Sequence, residues 1–517
     1  MKRHNQWAIA LTVTLATFME VMDTSIANVS LNHIAGGLSA SVDEATWVLT
    51  SYLVSNAIVL PISAWLAERF GRKRFYMTCV ALFTMSSFCC GIAPSLGALI
   101  FFRVLQGIGG GGLAPSEQAI LADTFEPAKR GMAFAIYGMA VVLAPTIGPT
   151  LGGYITDNAS WRWIFFINIP VGLLSLYLTN RIVEDPPHLV EAKKAAHEKG
   201  IDVVGLVLVA LGLGLLQIVA DTGQRDDWFA APHILVLTIV GCGALVWFLF
   251  WESRHPHPIV NLRLFKNRNF AASALLMLAL GCVLYSSIVL IPQFLQILMG
   301  YTAQLAGEVL SVGGMAILIL MPLVGWLVGK TDARYLIAFG FVVTGLSLFK
   351  VTELTLAIDF HTAVMWAVYQ RIGLAFLFVP INTISYVGVP KEDNNQVSGI
   401  INVMRNMGGS IGISAVTTLL ARRNQVHQTD LVANLYGGNP TLNTQVRTLA
   451  RYLHERGASN ADATHQAYGQ LYGVLQRQVN ALSYVDAFWI LGIVCFVITP
   501  LVFIAKRPEP GQAAMGH

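Results

Sequence analysis

Charge is what this 517-residue chain has least of: Asp, Glu, Lys and Arg make up 12% of it. A soluble globular protein carries roughly 25%. A chain so poor in charge cannot cover a water-facing surface, which excludes an ordinary soluble enzyme, and its net charge of +4 is too small to suggest nucleic acid as a partner. Cysteine is sparse as well. Cys79, Cys89, Cys90, Cys242, Cys282 and Cys495 all lie in apolar runs, without metal-ligand spacing or a secreted-domain framework. They read as small buried hydrophobes. The histidines fall mostly in loops without repeated ligand spacing, and His255-Pro256-His257-Pro258 is too proline-rich for a metal site. No cofactor or metal is expected. A phosphate loop is missing too, because Gly329-Lys330-Thr331 has Val324 where the first glycine is required. Gly107-Ile108-Gly109-Gly110-Gly111-Gly112 fits a dinucleotide pattern but lies inside a hydrophobic run, so its glycines are read as packing. Energy for uphill work must come from an ion gradient. The apolar run after Lys2 and Arg3 is too long for a signal peptide and lacks a cleavage site, so it reads as a retained span.

Hydrophobic residues are what the chain has instead, at 55%. With a spanning length of about 20 residues, about fourteen candidate helices follow, centred from Ala16 to Cys495. Runs near Phe339 and Phe360 are short or interrupted. Lysine and arginine sort by side. One set of short connections holds Lys2 and Arg3; Arg69, Arg72, Lys73 and Arg74; Lys129 and Arg130; Arg181, Lys193, Lys194 and Lys199. It continues with Arg254, Arg263, Lys266 and Arg268; Lys330 and Arg334; Lys391; Lys506 and Arg507. The opposite short connections hold only Arg162, Arg225 and Lys350. Both termini are therefore expected to be cytoplasmic. The segment from about Arg422 to Tyr484 carries six arginines, but long translocated loops are exempt from the rule. Rich in Gln, Asn and Ala, and read as weakly helical, it is expected to be a folded outer cap or partner-docking loop.

The stretch Leu143 to Gly153 stands out. It lies in an uncharged run from about Met132 to Ile155 and holds Pro145, Pro149, Gly148, Gly152 and Gly153. Such a run can persist as a kinked helix in lipid. The spacing of Gly148 and Gly152 leaves a flat stripe for another helix, here expected to be the seam where two halves rock against each other. An internal repeat supports two halves. Ala64-Trp65-Leu66-Ala67-Glu68-Arg69 is echoed by Gly325-Trp326-Leu327-Val328-Gly329-Lys330 (325 − 64 = 261), and Arg103 by Arg371 (371 − 103 = 268). The expected division is an N-terminal six-helix bundle over residues 1–190, an inserted helix pair over 191–258, and a C-terminal six-helix bundle over 259–517 that includes the loop 422–484. Parallel repeats of this kind mark secondary transporters with a site at the repeat interface.

Ionisable groups within spans are functional candidates by default. Glu20 and Asp23 lie three residues apart on one face of the first span, with about 5–6 Å between their β-carbons. Two carboxylates that close in low dielectric do not both ionise easily, as a group that takes up and releases a proton requires. Arg103 enters the fourth span at the depth of Asp23, so the two are expected to pair, or to pair in competition with protonation. A static buried ion pair is the plain alternative, and recognition of cationic substrates is the alternative for Glu20. Glu117 is a further candidate. Asn56, Tyr137, Tyr285, Gln293, Gln370, Arg371, Asn382, Asn402 and Arg405 are candidates for lining a cavity, with interhelical hydrogen bonding as the plain reading.

The stretch Ala64-Trp65-Leu66-Ala67-Glu68-Arg69-Phe70-Gly71-Arg72-Lys73-Arg74 resembles the signature loop of the major facilitator superfamily, with Ala64 and Glu68 in place of the usual glycine and aspartate. Arg103-Val104-Leu105-Gln106-Gly107 is similar to the family's span-four motif, and Ala144 to Gly153 to its span-five antiporter motif. Met22-Asp23-Thr24-Ser25-Ile26-Ala27-Asn28-Val29 and Trp161-Arg162-Trp163-Ile164-Phe165-Phe166-Ile167-Asn168-Ile169-Pro170 are similar to the fourteen-span drug:proton antiporters, and the long outer loop to their EmrB-type subgroup. The resemblance covers nearly the whole chain. It implies an all-α membrane protein with two six-helix bundles plus two inserted helices, and proton-coupled export of lipophilic small molecules across a bacterial inner membrane. It also implies gating by Glu68, Arg69, Gly71, Arg72, Lys73 and Asp123. For this subgroup in Gram-negative bacteria it implies a periplasmic adaptor and an outer-membrane channel as partners. A narrow-specificity exporter or importer on the same fold remains the alternative. A membrane sensor or enzyme would require a catalytic constellation or a soluble signalling domain, and the sequence displays neither.

Overall fold

In lipid every backbone N–H and C=O must be bonded internally, so apolar runs of spanning length fold as helices. The structure, a computed structural model, describes residues 5–186, 189, 202–256, 258–353, 358–433, 435, 436 and 438–506, and among them there is no β-strand. Lys2, Arg3, Lys193, Lys194, Lys199, His257 and Arg507, which entered the readings above, lie outside the described residues.

The first six long helices are α1 (Gln6–Val29), α2 (Trp47–Phe70), α3 (Arg72–Gly91), α4 (Leu96–Thr124), α5 (Pro127–Asn158) and α6 (Trp163–Ile182). A pair follows, α7 (Val203–Thr222) and α8 (Pro232–Arg254). The last six are α9 (Arg268–Leu298), α10 (Ala303–Val328), α11 (Ala333–Val351), α12 (Phe360–Ser385), α13 (Asn394–Val432) and α14 (Asn460–Ile498). Each expected centre falls inside one of these helices. Among the described residues, 12 helices are long and apolar enough to cross a membrane. The two outside that set are α3, which opens on Arg72-Lys73-Arg74, and α13, whose first turns are polar. Both have spanning length and many buried residues.

Helices α1 to α6 pack mainly on one another, as do α9 to α14, while α7 pairs with α8 and leans on α2 and α13. Two seams join the groups, α5 against α10 and α2 against α13. The sequence offset of about 261–268 carries α2 onto α10 and α5 onto α13. The two seams are thus one contact made twice. At the end of α2, Arg69 lies over Trp65, 5.7 Å from the ring centroid, and at the end of α10 Lys330 lies over Trp326 at 4.0 Å.

The glycine stripe on α5 corrects one expectation. Gly148 and Gly152 face α1, not the second group of helices: a β-carbon at Gly148 would lie 2.6 Å from Ser25 Cβ, and one at Gly152 3.3 Å from the Ile26 carbonyl oxygen. Despite Pro145 and Pro149 the helix runs on unbroken to Asn158, with Ser25 Oγ donating to the Pro145 carbonyl at 3.2 Å. Gly153 meets nothing within 4 Å. The seam with α10 uses the other side, where Gly131 meets Gly325 and Thr146 meets Gly314. At 3.6 residues per turn, positions 146 and 148 point about 200° apart, so one helix serves both contacts. A β-carbon at Gly131 would sit 2.6 Å from the Gly325 carbonyl oxygen, backbone that cannot swing aside. We expect Gly131→Val to force the seam open at a cost of about 1–3 kcal/mol. It should lower the melting temperature and abolish transport in protein that still purifies as one species. Transport at the wild-type rate would show that the two helices need not touch there.

The segment Arg422 to Tyr484 is more helical than its composition suggests. α13 runs 39 residues to Val432, and α14 begins at Asn460, with a short helix Pro440–Glu455 packed against it. At 1.5 Å per residue α13 is about 58 Å long, nearly twice the roughly 30 Å hydrocarbon core. Nucleation is the costly step of helix formation, and here the two spans supply it. Asp486 holds the extension, accepting from Arg423 Nε at 2.5 Å and lying 2.7 Å from His427 Nε2. The three basic exceptions to the charge asymmetry are locally bonded. Arg162 Nη1 donates to the carbonyls of Gly91 (3.2 Å) and Ala93 (2.8 Å), Arg225 pairs with Asp226 at 3.1 Å, and Lys350 pairs with Glu353.

Candidate functional site

The first cluster surrounds Asp23, in the C-terminal half of α1. Arg103 Nη1 from α4 donates to Asp23 Oδ2 at 2.6 Å. Gln106 Nε2 donates to Oδ1 at 3.0 Å and Asn168 Nδ2 from α6 to Oδ1 at 2.7 Å. Asp23 and Arg103 are 2% and 0% exposed, so neither charge reaches solvent. Arg103 is held further by its Nε, which donates to the Val48 carbonyl at 3.0 Å, and by the Tyr52 ring, 4.4 Å from its guanidinium carbon. Its Nη2 has no hydrogen-bond partner among the described residues.

Glu20 has different partners. Its Oε1 accepts from Tyr52 Oη at 3.2 Å and from Asn56 Nδ2 at 3.1 Å. Tyr52 therefore touches both groups, its ring face on Arg103 and its hydroxyl on Glu20. The carboxylates that share a helix face in the sequence do not share a hydrogen-bond partner in the fold.

A second, central network bridges the two groups of helices. Gln118 of α4 donates to Asn382 Oδ1 of α12 at 3.1 Å and accepts from Asn402 Nδ2 of α13 at 2.8 Å. Tyr137 of α5 donates to Asn402 Oδ1 at 3.3 Å and accepts from Arg405 Nη1 at 2.8 Å. Nearby in the first group, Thr14 Oγ1 donates to Glu117 Oε1 at 2.6 Å, while Glu117 Oε2 has no partner among the described residues.

At the end of the bundle rich in lysine and arginine, Arg72 and Asp123 are almost fully buried and pair at 2.6 Å. Asn395 Oδ1 of α13 accepts from Arg72 Nη1 at 3.2 Å, and Asn394 Nδ2 donates to Asp123 Oδ1 at 2.5 Å. The ion pair of the first group is thus bolted to the second. Gly71 turns the chain with φ 90°. Lys73 is engaged elsewhere, its N–H donating to Asp185 and its Nζ to the Asn180 carbonyl, both at 2.8 Å. Glu68 and Arg69 lie half-buried in the last turn of α2.

Not every candidate joins the centre. Gln293 accepts from Tyr484 Oη at 3.5 Å, at the opposite end of α9 from the basic loops. Tyr285 packs its ring on Gly409 of α13. Gln370 and Arg371 are buried in α12, and Gln370 Nε2 and Arg371 Nε and Nη1 lack partners among the described residues. The Arg103–Arg371 echo thus does not repeat the chemistry, because α9, the counterpart of α1, contains no acidic residue. Gln106, Gln118, Asn168, Asn394, Asn395 and Tyr52 were missed as site residues. Their one sequence signal was a polar side chain inside or bordering an apolar run, and Gln106 and Asn168 stand within motifs already singled out. Among the described residues no group of three or more His, Cys, Asp or Glu is placed to hold a metal.

Two helix groups meeting along paired seams, with buried polar groups spanning the interface, define a multi-pass membrane transporter rather than an enzyme. The sequence profile of the Major Facilitator Superfamily matches residues 13–413, and the chain belongs to that family. It is 36% identical over 501 residues to the multidrug export protein EmrB of Escherichia coli (strain K12), covering 97% of this chain and 95% of that one. It is 35% identical over 505 residues to the fatty acid resistance protein FarB of Neisseria gonorrhoeae, covering 97% and 96%. Its fold matches that of the proton:xylose symporter XylE bound to 6-bromo-6-deoxy-D-glucose with a TM-score of 0.62 at 14% identity, covering 97% and 96%.

Proposed function

We propose that the chain is a proton-coupled antiporter that exports lipophilic small molecules across a bacterial inner membrane, with fourteen spans and both termini in the cytoplasm. The observation that carries the reading is Tyr52, which touches both Arg103 and Glu20 and so joins the buried Asp23–Arg103 pair to a carboxylate on the side of the central network. A proton arriving at Asp23 neutralises it and releases Arg103. The cation then weakens or re-forms its contact with Tyr52, which changes what Glu20 is bonded to. The halves 1–190 and 259–517 rock about the α5–α10 and α2–α13 seams, with the inserted pair of 191–258 beside them. The Arg72–Asp123–Asn394 lock holds the cytoplasmic end closed in one state. Gln118, Tyr137, Asn382, Asn402 and Arg405 are the groups a substrate meets between the halves. The energetics allow this. A potential of about 100 mV supplies roughly 2.3 kcal/mol per proton, and each pH unit adds about 1.36 kcal/mol. One proton therefore sustains a substrate gradient on the order of 100-fold or more.

The similarity to a multidrug export protein supports a broad substrate range. A relative of nearly equal identity named for fatty acid resistance supports the narrower alternative, one amphipathic class. Purified protein in liposomes with an imposed pH gradient separates them. The expected result is proton flux driven by several chemically unrelated lipophilic drugs. Flux with a single class favours the narrow exporter, and absence of flux with every compound defeats proton-coupled export by the chain alone.

The helical extension formed by the ends of α13 and α14 is proposed as the docking point for a periplasmic adaptor, itself linked to an outer-membrane channel. Deleting Arg422 to Tyr484 would cut into packed structure, since Tyr484 stacks edge-on against Phe294 with centroids 5.7 Å apart. The cleaner test replaces residues 440–455 by a short flexible linker. Loss of adaptor co-purification is expected, and undiminished co-purification would remove docking from that helix.

A further inference from the structure

A cavity of about 490 Å³ lies where the inserted helix α7 closes the seam between α2 and α13. Ala57 of α2, Leu216 and Gln217 of α7, and Asn406, Met407 and Ser410 of α13 contribute to its wall, and no ionisable side chain does. α7 is tied to both sides of the seam. Asp221 accepts from Thr50 of α2, Gln217 Oε1 accepts from Ser410 Oγ of α13 at 2.8 Å, and Trp228, just beyond α7, donates to Thr418 Oγ1 of α13 at 3.0 Å. Gln217 therefore keeps its amide N–H groups for another acceptor. The half-buried amide of Asn406 has no hydrogen bond within the protein among the described residues. The outer faces of α7 and α8 are studded with exposed Val207, Leu211, Val240 and Trp247, as expected of helices that meet lipid. The cavity thus lies behind the lipid-facing inserted pair and is itself partly open, with Ile411 of its wall 51% exposed.

We propose that this cavity is a lateral binding site for uncharged lipophilic molecules of drug size, held by the Asn406 amide and the free amide N–H groups of Gln217. The volume lies in the range of ligand pockets, about 300–1,000 Å³. An ion entering it would lose hydration with no counter-charge to replace it, whereas a neutral carbonyl, ether or hydroxyl finds both donor and acceptor on Asn406. The proposal rests on the export reading above and deepens it, by placing a route from the membrane into the seam through a wall built by the inserted helices.

Photolabelling with benzophenone, an uncharged lipophilic probe, of the purified full chain in phosphatidylcholine nanodiscs tests this, with adducts mapped by peptide mass spectrometry. Adducts are expected on Met407 and its neighbours in the cavity wall. Leu216→Trp, which extends an indole ring into the cavity, should reduce them. Asn406→Leu, which keeps the volume but deletes the amide, should weaken labelling about fivefold, the loss of one hydrogen bond. Excess N-phenylnaphthylamine, uncharged, should compete, and tetraphenylphosphonium, a cation, should not. The proposal is overturned if both substitutions leave the adducts unchanged, if the cation competes as well as the neutral compound, or if only the lipid content of the nanodisc alters the yield, which would mark a groove for acyl tails. Labelling needs no proton gradient. Specific adducts at Met407 together with absence of drug flux in liposomes would keep the site and reject the export reading.

Discussion

Asp23→Asn is expected to abolish drug-dependent proton flux, and to destabilise the protein by an amount that can be separated from the loss of function. Asp23 accepts three hydrogen bonds, from Arg103, Gln106 and Asn168. Asparagine keeps the shape and loses the charge, leaving Arg103, 0% exposed, as an uncompensated buried cation. Removing one partner of a buried pair costs about 3–5 kcal/mol, so the melting temperature should fall clearly. The double variant Asp23→Asn with Arg103→Gln removes both charges and should recover most of that stability, yet flux should stay absent because nothing is left to protonate. A structural pair predicts otherwise, with flux returning along with stability. Recovery of proton-coupled transport in the double variant would therefore reject Asp23 as the coupling group. Glu20→Gln serves as the companion measurement. It keeps the acceptors for Tyr52 and Asn56 and should leave the stability near wild type, so lost flux there would assign Glu20 a part in the cycle.

The second large effect concerns Arg72. Arg72→Ala leaves Asp123, whose side chain is 7% exposed, with Asn394 as the other bond described for it. The Arg72–Asp123 pair lies within the first group, so what belongs to the closed state is the bond that Arg72 makes across the seam to Asn395. Losing that charge-assisted bond, worth about 1.5–3 kcal/mol, would move the balance between closed and open on the order of 10- to 100-fold toward open. In a cysteine-free background, a cysteine placed at Ser398, buried near this lock on α13, should then react with a membrane-impermeant maleimide applied from the side of the basic loops. It should stay protected when Arg72 is intact, and transport should fall tenfold or more. Exchanging the charges, Arg72→Asp with Asp123→Arg, should restore part of the protection. Wild-type transport and protection in Arg72→Ala would mean that the packed Gly131–Gly325 seam alone keeps this end shut.

Much of this protein is legible along the chain because the bilayer imposes a strong local rule. Run length and hydropathy located every long helix, since a lipid-exposed backbone has no alternative to internal hydrogen bonding. The repeat and the charge asymmetry were legible for the same reason, as both recur at the ends of spans. The pairing of Asp23 with Arg103 could be anticipated from depth, because helix rise converts position into height above the membrane centre.

Rotation about a helix axis and the choice of neighbour could not be read in this way. Gly148 and Gly152 carry the packing pattern of a seam, yet which helix fills it depended on the orientation of α5, and α1 took that face while Gly131 and Thr146 took α10. Glu20 and Asp23 share a helix face, but their partners come from three other helices, α2, α4 and α6, and only tertiary packing sent one to Tyr52 and the other to Arg103. Polar neutral residues such as Gln106, Gln118 and Asn168 look alike in a sequence whether they bond a lipid-buried charge or a nearby carbonyl. The chain by itself thus determined where the long helices form, which ionisable groups lie inside them and which connections are basic, because lipid constrains every residue locally. Which groups meet at the seams, what bridges the halves and where α7 closes a cavity were decided by tertiary packing, which depends on distant residues meeting at one depth and facing the same way.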